Sequence, residues 1–540
     1  MSNVLAHRGP DGEGQWTNSK QTAGLAHRRL SIIDVTRRGT QPMHYQNRYS
    51  ITYNGEIYNY IELKKDLEEK GHKFLNNTDT EVLLALYAEY GKNCLNKIDG
   101  MFAFVIYDSK EHKLFCARDH FGEKPFYYYL KDGNFYFGSE MKALWAADVP
   151  KAENATMHYN YLAYGFLSNP ENMAETFYKD IYKLPHAHYL EYAIEDSKLE
   201  IHPYYKIEQS ELNLTEEDAE GQLLMLLKKS VKYRLRSDVA VGTSLSGGID
   251  SSIIASLVKE QRGSESLKTF SAIFPDYSKD ESYFIERTVK KLDVESFSCI
   301  PSLAEFQSEK EKFLQHQEEP VVDESPYILY KVYELARKNG IKVLLDGQGA
   351  DEIFAGYHAY LFTYLKELRQ RNRILYRDEM KMFKTLVKKG MINDYRFFRR
   401  QNLLSILFGE KLSDIRIWKQ KLDQFKKKSI DKTLQRAEHG NSFRRKYVFE
   451  SLDENLKYDA MRGKLQTLLR YADRSSMAHG VEIRLPYLDH ELVNFVFSLP
   501  AEMKIKEGWT KWILRETFQD YMDEEVVWRR AKVGAEGELK

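Results

Sequence analysis

The chain has 540 residues, too many for one hydrophobic core, so two or more domains are expected. Lys plus Arg and Asp plus Glu both total 80, so no net charge draws the protein to nucleic acid or a membrane surface, and neither partner is expected. No apolar run approaches a membrane span and the N-terminus lacks a secretory pattern; Cys94, Cys116 and Cys299 lack metal-ligand spacing and read as reduced thiols of a cytoplasmic protein.

Residues 1–205 read as short strands with a few helices. His7-Arg8-Gly9-Pro10-Asp11-Gly12 is a loop by its Gly and Pro content. Strands are predicted over 25–33, 51–53, 101–107, 113–117, 126–129 and 135–137. A helix is predicted over 60–70, and a second opens at 77–81 with Thr78 or Asp79 as its cap. Asn54-Gly55-Glu56 ends one strand, and 118–125 forms a turn between two others.

Residues 204–213 are polar and keep no sustained period. The boundary between a domain at 1–205 and one at 206–540 is placed there. A helix is expected over 214–235. Strands at 239–245, 268–274, 294–299 and 341–345 then alternate with helices at 250–261, 281–291 and 326–338, the pattern of an open parallel sheet. A ligand of such a sheet belongs outside the carboxyl ends of its strands.

The first of these strands runs into Leu245-Ser246-Gly247-Gly248-Ile249-Asp250-Ser251-Ser252. Glycines let backbone approach a phosphate closely, and a helix start offers free N–H groups to an anion. Ser251 and Ser252 suit that start. Asp250 would repel phosphates unless it holds a cation they share, such as Mg²⁺. No Lys follows the glycines, so this is not the phosphate loop of kinases and GTPases. The last strand runs into Asp346-Gly347-Gln348-Gly349-Ala350-Asp351, a glycine-spaced acidic loop suited to a second metal and phosphate contact. Residues 359–450 show Lys, Arg and aromatic residues at helical spacing. The basic stretch 419–432 reads as a solvated helical face rather than a nucleic-acid site.

The motifs HRGPDG, RLSI, NGEIYN, TDTEV, GMFAF, RDHFGEKP and GSEMKAL, in this order, resemble the glutaminase domain of asparagine synthetases. The Ser-Gly-Gly-x-Asp-Ser-Ser loop resembles the pyrophosphate loop of enzymes that split ATP into AMP and pyrophosphate. The segments 469–489 and 508–515 are also similar to that family, and 528–534 resembles the start of its closing loop. The resemblance implies an α+β N-terminal-nucleophile (αββα) domain followed by an α/β adenine-nucleotide α-hydrolase-like domain with a parallel sheet and a helical C-terminal part.

For glutamine, it implies that Arg29 binds the α-carboxylate and Asp79 the α-amino group. Asn54 and the Gly55 amide would serve the oxyanion, and Glu56 would help hold the amine. For ATP it implies Leu245, Ser246, Gly247, Gly248, Asp250, Ser251, Ser252, Ala272, Asp346 and Gly347, with Asp250 and Asp351 on Mg²⁺. Lys511, Gln348 and Tyr357 would serve the chemistry, with Asp473, Arg474, Ser476 and Arg484 facing the carboxylate substrate and the phosphates. The implied reaction amidates aspartate through an aspartyl-adenylate, with nitrogen from glutamine or ammonia. A homodimer is compatible with it.

Two departures from the family pattern stand out. The family's nucleophile is an N-terminal Cys in a first strand. Here residue 2 is Ser and no strand precedes the HRGPDG loop. We therefore expect this chain not to hydrolyse glutamine, to use ammonia, and to leave neighbouring strands with an unpaired edge. The family also has Ser-Gly-Glu-Gly where this chain has Asp346-Gly347-Gln348-Gly349, and Gln348 cannot accept a proton. The rivals are an amide ligase or β-lactam-type cyclase acting on another carboxylate, and a catalytically inactive nucleotide-binding relic.

Overall fold

The computed structural model describes residues 1–210, 212, 214–275, 277, 280–389 and 449–530. Residues 211 and 213 of the polar junction, the basic stretch 419–432 and the closing-loop residues 531–534 lie outside these.

The N-terminal third is built on a six-stranded antiparallel sheet. Its strands are β3 (Met43–Tyr45), β4 (Tyr49–Ile57), β5 (Gly100–Asp108), β6 (Lys113–Arg118), β10 (His188–Ala193) and β11 (Lys198–Pro203), in the order β11-β10-β6-β5-β4-β3. Every residue of β5 is buried, because both faces of the sheet are covered. Alternate side chains serve the two sides, as the pleat requires. Phe102, Phe104 and Ile106 pack under helices α1 (Tyr60–Glu69) and α2 (Asp79–Tyr90), against Leu63, Leu67 and Leu83. Ala103, Val105 and Tyr107 face a second sheet layer, against Leu25, Phe126 and Tyr128.

That second layer is in two pieces: β1 (Gly12–Thr17) with β2 (Gly24–Arg29), and β7 (Tyr127–Lys131) between β8 (Asn134–Gly138) and β9 (Ile181–Lys183). Helix α3 (Met141–Trp145) covers the outer side of the second piece, through Met141 and Leu144 against Tyr127, Tyr129 and Ile181. A cavity of about 520 Å³ separates β2 from β8, floored by residues of β4 and β5. The sandwich therefore has the expected αββα layers.

The boundaries differ from the sequence reading in instructive ways. The strand expected at 25–33 stops at Arg29, where Ser31 N turns to donate to Asp11 Oδ2. The strand expected at 51–53 runs on through Asn54-Gly55 to Ile57. Gly55 sits at φ 143° opposite Phe102, and a Cβ there would overlap the Met101 carbonyl. A dipeptide that reads as a turn is here a tight passage of strand against strand. Thr78 caps α2, accepting from Glu81 N.

The second domain is a five-stranded parallel sheet in the order β14-β13-β12-β15-β16. The strands are β12 (Val241–Ser244), β13 (Lys268–Ala272), β14 (Glu295–Cys299), β15 (Val343–Leu345) and β16 (Glu482–Arg484). The helices of the domain, among its described residues, include α4 (Glu216–Arg234), α5 (Ile249–Arg262), α6 (Ser282–Leu292), α7 (Leu303–Gln317), α8 (Ser325–Lys338), α9 (Ala350–Ile353), α10 (Tyr360–Arg371), α11 (Lys464–Met477) and α12 (Trp512–Phe518). Helix α5 starts one residue earlier than expected, at Ile249, with Gly248 at its cap. Ile253, Ile254, Leu257 and Val258 lie fully inside the core, each worth roughly 1.5–3 kcal/mol of burial. Helix α10 falls in the stretch 359–450 and is helical as expected.

The domains meet over buried ion pairs. Arg8 donates to Asp473 at 2.7 and 2.9 Å and to Glu140 at 2.9 Å. Arg474 pairs with Glu318 at 2.9 Å and Glu140 at 3.1 Å. Glu318 also accepts from the Met141 and Lys142 amides at the start of α3. Nearby, the rings of His120 and His490 stack at 4.6 Å.

Candidate functional sites

The order of the parallel sheet reverses at β12, which lies between β13 and β15. This is where open α/β sheets form a crevice at their carboxyl ends. A cavity of about 620 Å³ opens there. The turn after β12 lines it with Leu245, Ser246, Gly248, Asp250 and Ser251. The loop after β15 adds Asp346, Gly347, Gln348 and Asp351, and the end of β13 adds Ala272. Register explains the convergence: Thr243 pairs with Leu345, so the residues after both strands emerge side by side. The Ser244 hydroxyl donates to Asp346 Oδ2, and Asp346 Oδ1 accepts from Gln348 N at 3.0 Å. Burial pushes the Asp346 carboxyl up.

Gly347 touches the start of α5, where a Cβ would lie 2.9 Å from Ser251 N. The Ser251 hydroxyl accepts from Ser246 N at 3.1 Å and donates to the Gly248 carbonyl at 3.2 Å, which shapes the turn. Ser252 points elsewhere: its hydroxyl is fully buried 3.2 Å from Thr288 on α6. Gly247, at φ 73°, does not line the cavity and accepts from Arg529 through its carbonyl.

Lys511 comes from far along the chain, at the cap of α12. Its ammonium lies 2.5 Å from Asp250 Oδ2 and 2.6 Å from Asp351 Oδ1. Burial disfavours that charge, and the attraction of Asp250 and Asp351 more than offsets it, so its pKa lies above the ordinary lysine value. Two carboxylates thus converge on one cation position. Hard oxygen donors of this kind suit Mg²⁺, which takes one or two carboxylates beside phosphate and water oxygens. Tyr357 lines the same cavity, donates to Glu352 at 2.7 Å and carries the Lys464 ammonium 4.1 Å over its ring.

Arg515, Arg529 and Arg530 also line this cavity. The sequence reading gave them no role. Arg515 is four residues after Lys511, hence on the same helix face, which was the available signal. Arg529 pairs with Glu281 at 2.7 Å, and Arg530 lies 3.6 Å over the Trp509 ring. Three residues expected near the carboxylate substrate lie elsewhere. Asp473 and Arg474 belong to the interdomain ion pairs. Arg484 donates to the Arg234 and Arg236 carbonyls and lies 3.5 Å from Glu56. They follow the faces of α11 and β16 that turn toward the first domain. Ser476 is buried on the same helix and donates to the Asp473 carbonyl.

The cavity of the first domain gathers Arg29, Asn54, Gly55, Glu56 and Asp79. Asp79 accepts from the Tyr53 hydroxyl at 2.9 Å and Ile57 N at 3.0 Å. Glu56 is buried, with Oε2 lacking a hydrogen-bond partner. Burial, then Asp79 and Glu482, drive its carboxyl well above the usual range. Burial likewise raises Asp79. Crowded acids of this kind favour a cationic visitor such as an α-amino group. Arg29 faces its own loop: it donates to the carbonyls of Ile33, Asp34 and Thr36. Asn54 Nδ2 lies 3.4 Å from the Ser139 hydroxyl. Helix α11 walls both cavities, with Leu468 and Tyr471 in one and Met477 in the other.

An antiparallel αββα sandwich with crowded acids in its cavity, fused to a parallel sheet with a Ser-Gly-Gly turn at its switch point, has the make-up of an amidotransferase joined to a ligase. Sequence comparison agrees for each half: residues 1–205 match the glutamine amidotransferase domain, and residues 222–539 match asparagine synthase. The chain belongs to the asparagine synthase family. It is 33% identical over 546 residues to asparagine synthetase (glutamine-hydrolyzing) 1 of Bacillus subtilis, covering 99% of this chain and 82% of that protein. It is 35% identical over 384 residues to putative asparagine synthetase (glutamine-hydrolyzing) 2 of Methanocaldococcus jannaschii, covering 67% of this chain and 73% of that protein. It is also 29% identical over 578 residues to amidase chry2 of Gibberella zeae, covering 97% and 82%.

Proposed function

We propose that this ligase converts aspartate to asparagine with ATP, releasing AMP and pyrophosphate. The observation that carries the reading is the convergence of the Ser-Gly-Gly-x-Asp turn, the Asp346–Asp351 loop and Lys511 on one cavity at the sheet's switch point. An oxygen of the aspartate side-chain carboxylate attacks the α-phosphorus. The bond to the bridging oxygen breaks, and pyrophosphate leaves with that electron pair. The backbone amides at the start of α5 and the Ser246 and Ser251 hydroxyls hold the departing phosphates. Mg²⁺, held by Asp250 and Asp351, would neutralise phosphate charge. Lys511 stabilises the charge building on the α-phosphate, and backbone at Ala272 holds the adenine. Ammonia then attacks the acyl carbon and AMP leaves. Gln348 and Tyr357 position the acyl group by hydrogen bonds.

None of the three cysteines lines the first cavity among the described residues, so we propose that free ammonia is the nitrogen donor for these 540 residues. On this reading Arg29, Asn54, Gly55, Glu56 and Asp79 form a glutamine-shaped pocket without a thiol nucleophile. The reaction belongs in the cytoplasm, where ATP and free aspartate are supplied; among the described residues no helix is long and apolar enough to cross a membrane. A homodimer is part of the proposal and is read by light scattering.

The test is pyrophosphate release with ATP, Mg²⁺ and ammonium across a panel of carboxylic acids. Aspartate should drive it and glutamine should not replace ammonium. Release driven by a different acid would support a second reading, an amide ligase or cyclase on another carboxylate. Two observations favour examining it: Gln348 in the acidic loop, and relatives named as amidases. ATP binding with no acid-dependent release would leave a nucleotide-binding relic.

A further inference from the structure

We propose that Lys511 is a built-in placeholder for the divalent cation: it bridges Asp250 and Asp351 while no nucleotide is bound, and is freed toward the phosphates when the cation arrives with ATP. The inference rests on the proposed reading only for the metal's place between these two carboxylates. Its grounds are geometric. One ammonium spans both acids, at 2.5 and 2.6 Å, and is 3% exposed. The slot is cut around this side chain. Gly356 closes it, and a Cβ there would overlap both Asp351 Oδ1 and Lys511 Cε. The Lys511 backbone is held left-handed, at φ 55° and ψ 37°, a conformation that a non-glycine residue keeps only when its surroundings impose it.

A divalent ion coordinating the same two oxygens cannot share this position with the ammonium. Both would occupy the same contact distance from the carboxylates and repel each other. The ion must therefore displace Lys511, and the departing ammonium needs a new anion. A nucleotide's phosphates supply one beside the loop Leu245–Ser251 that lines the same cavity. The cation alone offers no such destination for the lysine. Loading is thus coupled: metal without nucleotide is disfavoured, and Lys511 reaches phosphate only when the metal has taken its carboxylates. The arrangement keeps the two acids neutralised between turnovers and delivers the catalytic charge with the substrate.

The test needs no turnover. Mn²⁺ binding to the full chain without nucleotide is titrated by electron paramagnetic resonance, for the parent and for Lys511→Gln, Lys511→Arg and Lys511→Gln with Asp351→Asn. The parent should show no site tighter than the millimolar range. Lys511→Gln should bind Mn²⁺ at least about tenfold tighter. Lys511→Arg, which keeps the charge, should stay weak, and adding Asp351→Asn to Lys511→Gln should abolish the gain. A micromolar Mn²⁺ site in the parent, or no gain in Lys511→Gln, overturns the placeholder. The parent titration decides even where a variant fails to fold. Because no acid substrate is present, failure here is distinct from failure of the proposed reaction.

Discussion

The two cavities of this molecule handle buried acid in opposite ways. In the nucleotide cavity, Asp250 and Asp351 are answered by a lysine from a different part of the chain. In the cavity of the first domain, Glu56, Asp79 and Glu482 crowd together, and the cation is spent on one of them: Arg484 pairs with Glu482 at 2.9 Å and lies 3.5 Å from Glu56. The nucleotide cavity is balanced and waits for charge to be exchanged. The cavity of the first domain holds an excess of acid and raises the carboxyl pKa values of Glu56 and Asp79 instead. A balanced site suits triphosphate chemistry, where ions must move. A proton-holding site suits capture of an ammonium group.

Variants can break this contrast or sharpen it. The largest effect is expected at the seam between the regions. Arg474→Met leaves Glu318 and part of Glu140 buried without their cation and should cost about 3–5 kcal/mol in denaturant unfolding. A loss below about 1 kcal/mol would mean that Lys142 and Arg8 carry the seam alone. Next, Lys511→Met should lower aspartate-dependent pyrophosphate release by roughly 10²–10³-fold, the scale of one lost charge-stabilising donor. If Asp79→Asn lowered the ammonia-driven rate as much, the two cavities would not be independent.

Acid should act on the first region through its buried histidines. Burial lowers the His186 pKa to about 3 from 6.5, with Arg118 adding to it, and burial also holds His120 well below the ordinary histidine value. A folded pKa below the unfolded one means the unfolded state takes the proton first. Stability is therefore full above pH 6.5 and is lost as pH falls from 6.5 toward 3, by about 1.4 kcal/mol per unit for His186. His186→Gln should flatten the slope of unfolding free energy between pH 6.5 and 4.5, and an unchanged slope would assign the acid sensitivity elsewhere. The smallest effect is a predicted silence. Arg29→Lys and Asp79→Asn should leave ammonia-dependent pyrophosphate release within about twofold of the parent.

Much of the candidate site's local structure was legible because it is local. The strand, the Ser-Gly-Gly turn and the apolar face of α5 are consecutive, and the loop after β15 is consecutive too. What could not be read was direction. Ser252 follows Ser251 in sequence, yet one hydroxyl shapes the loop and the other faces Thr288, because adjacent helical residues point about 100° apart. Asp473 and Arg474 carry a family motif but bind the first domain, a fact set by packing between domains rather than by spacing. In the first domain the short strands and helices were read from the residues, and the αββα layering came only from the family resemblance. The Asn54-Gly55 pair misled, since only the approach of β5 makes a strand glycine necessary there. The polar lining of the gap between β2 and β8 emerged only in three dimensions.

Helix α11 is fourteen residues long, about 21 Å from end to end at the usual rise. It is a party wall: Tyr471 furnishes one room and Met477 the other, with Arg474 bolted to the frame between them. Neither room can be refurbished alone. A substitution that widens the synthetase side to admit a bulkier acid leans on the same beam that sets the shape of the chamber next door.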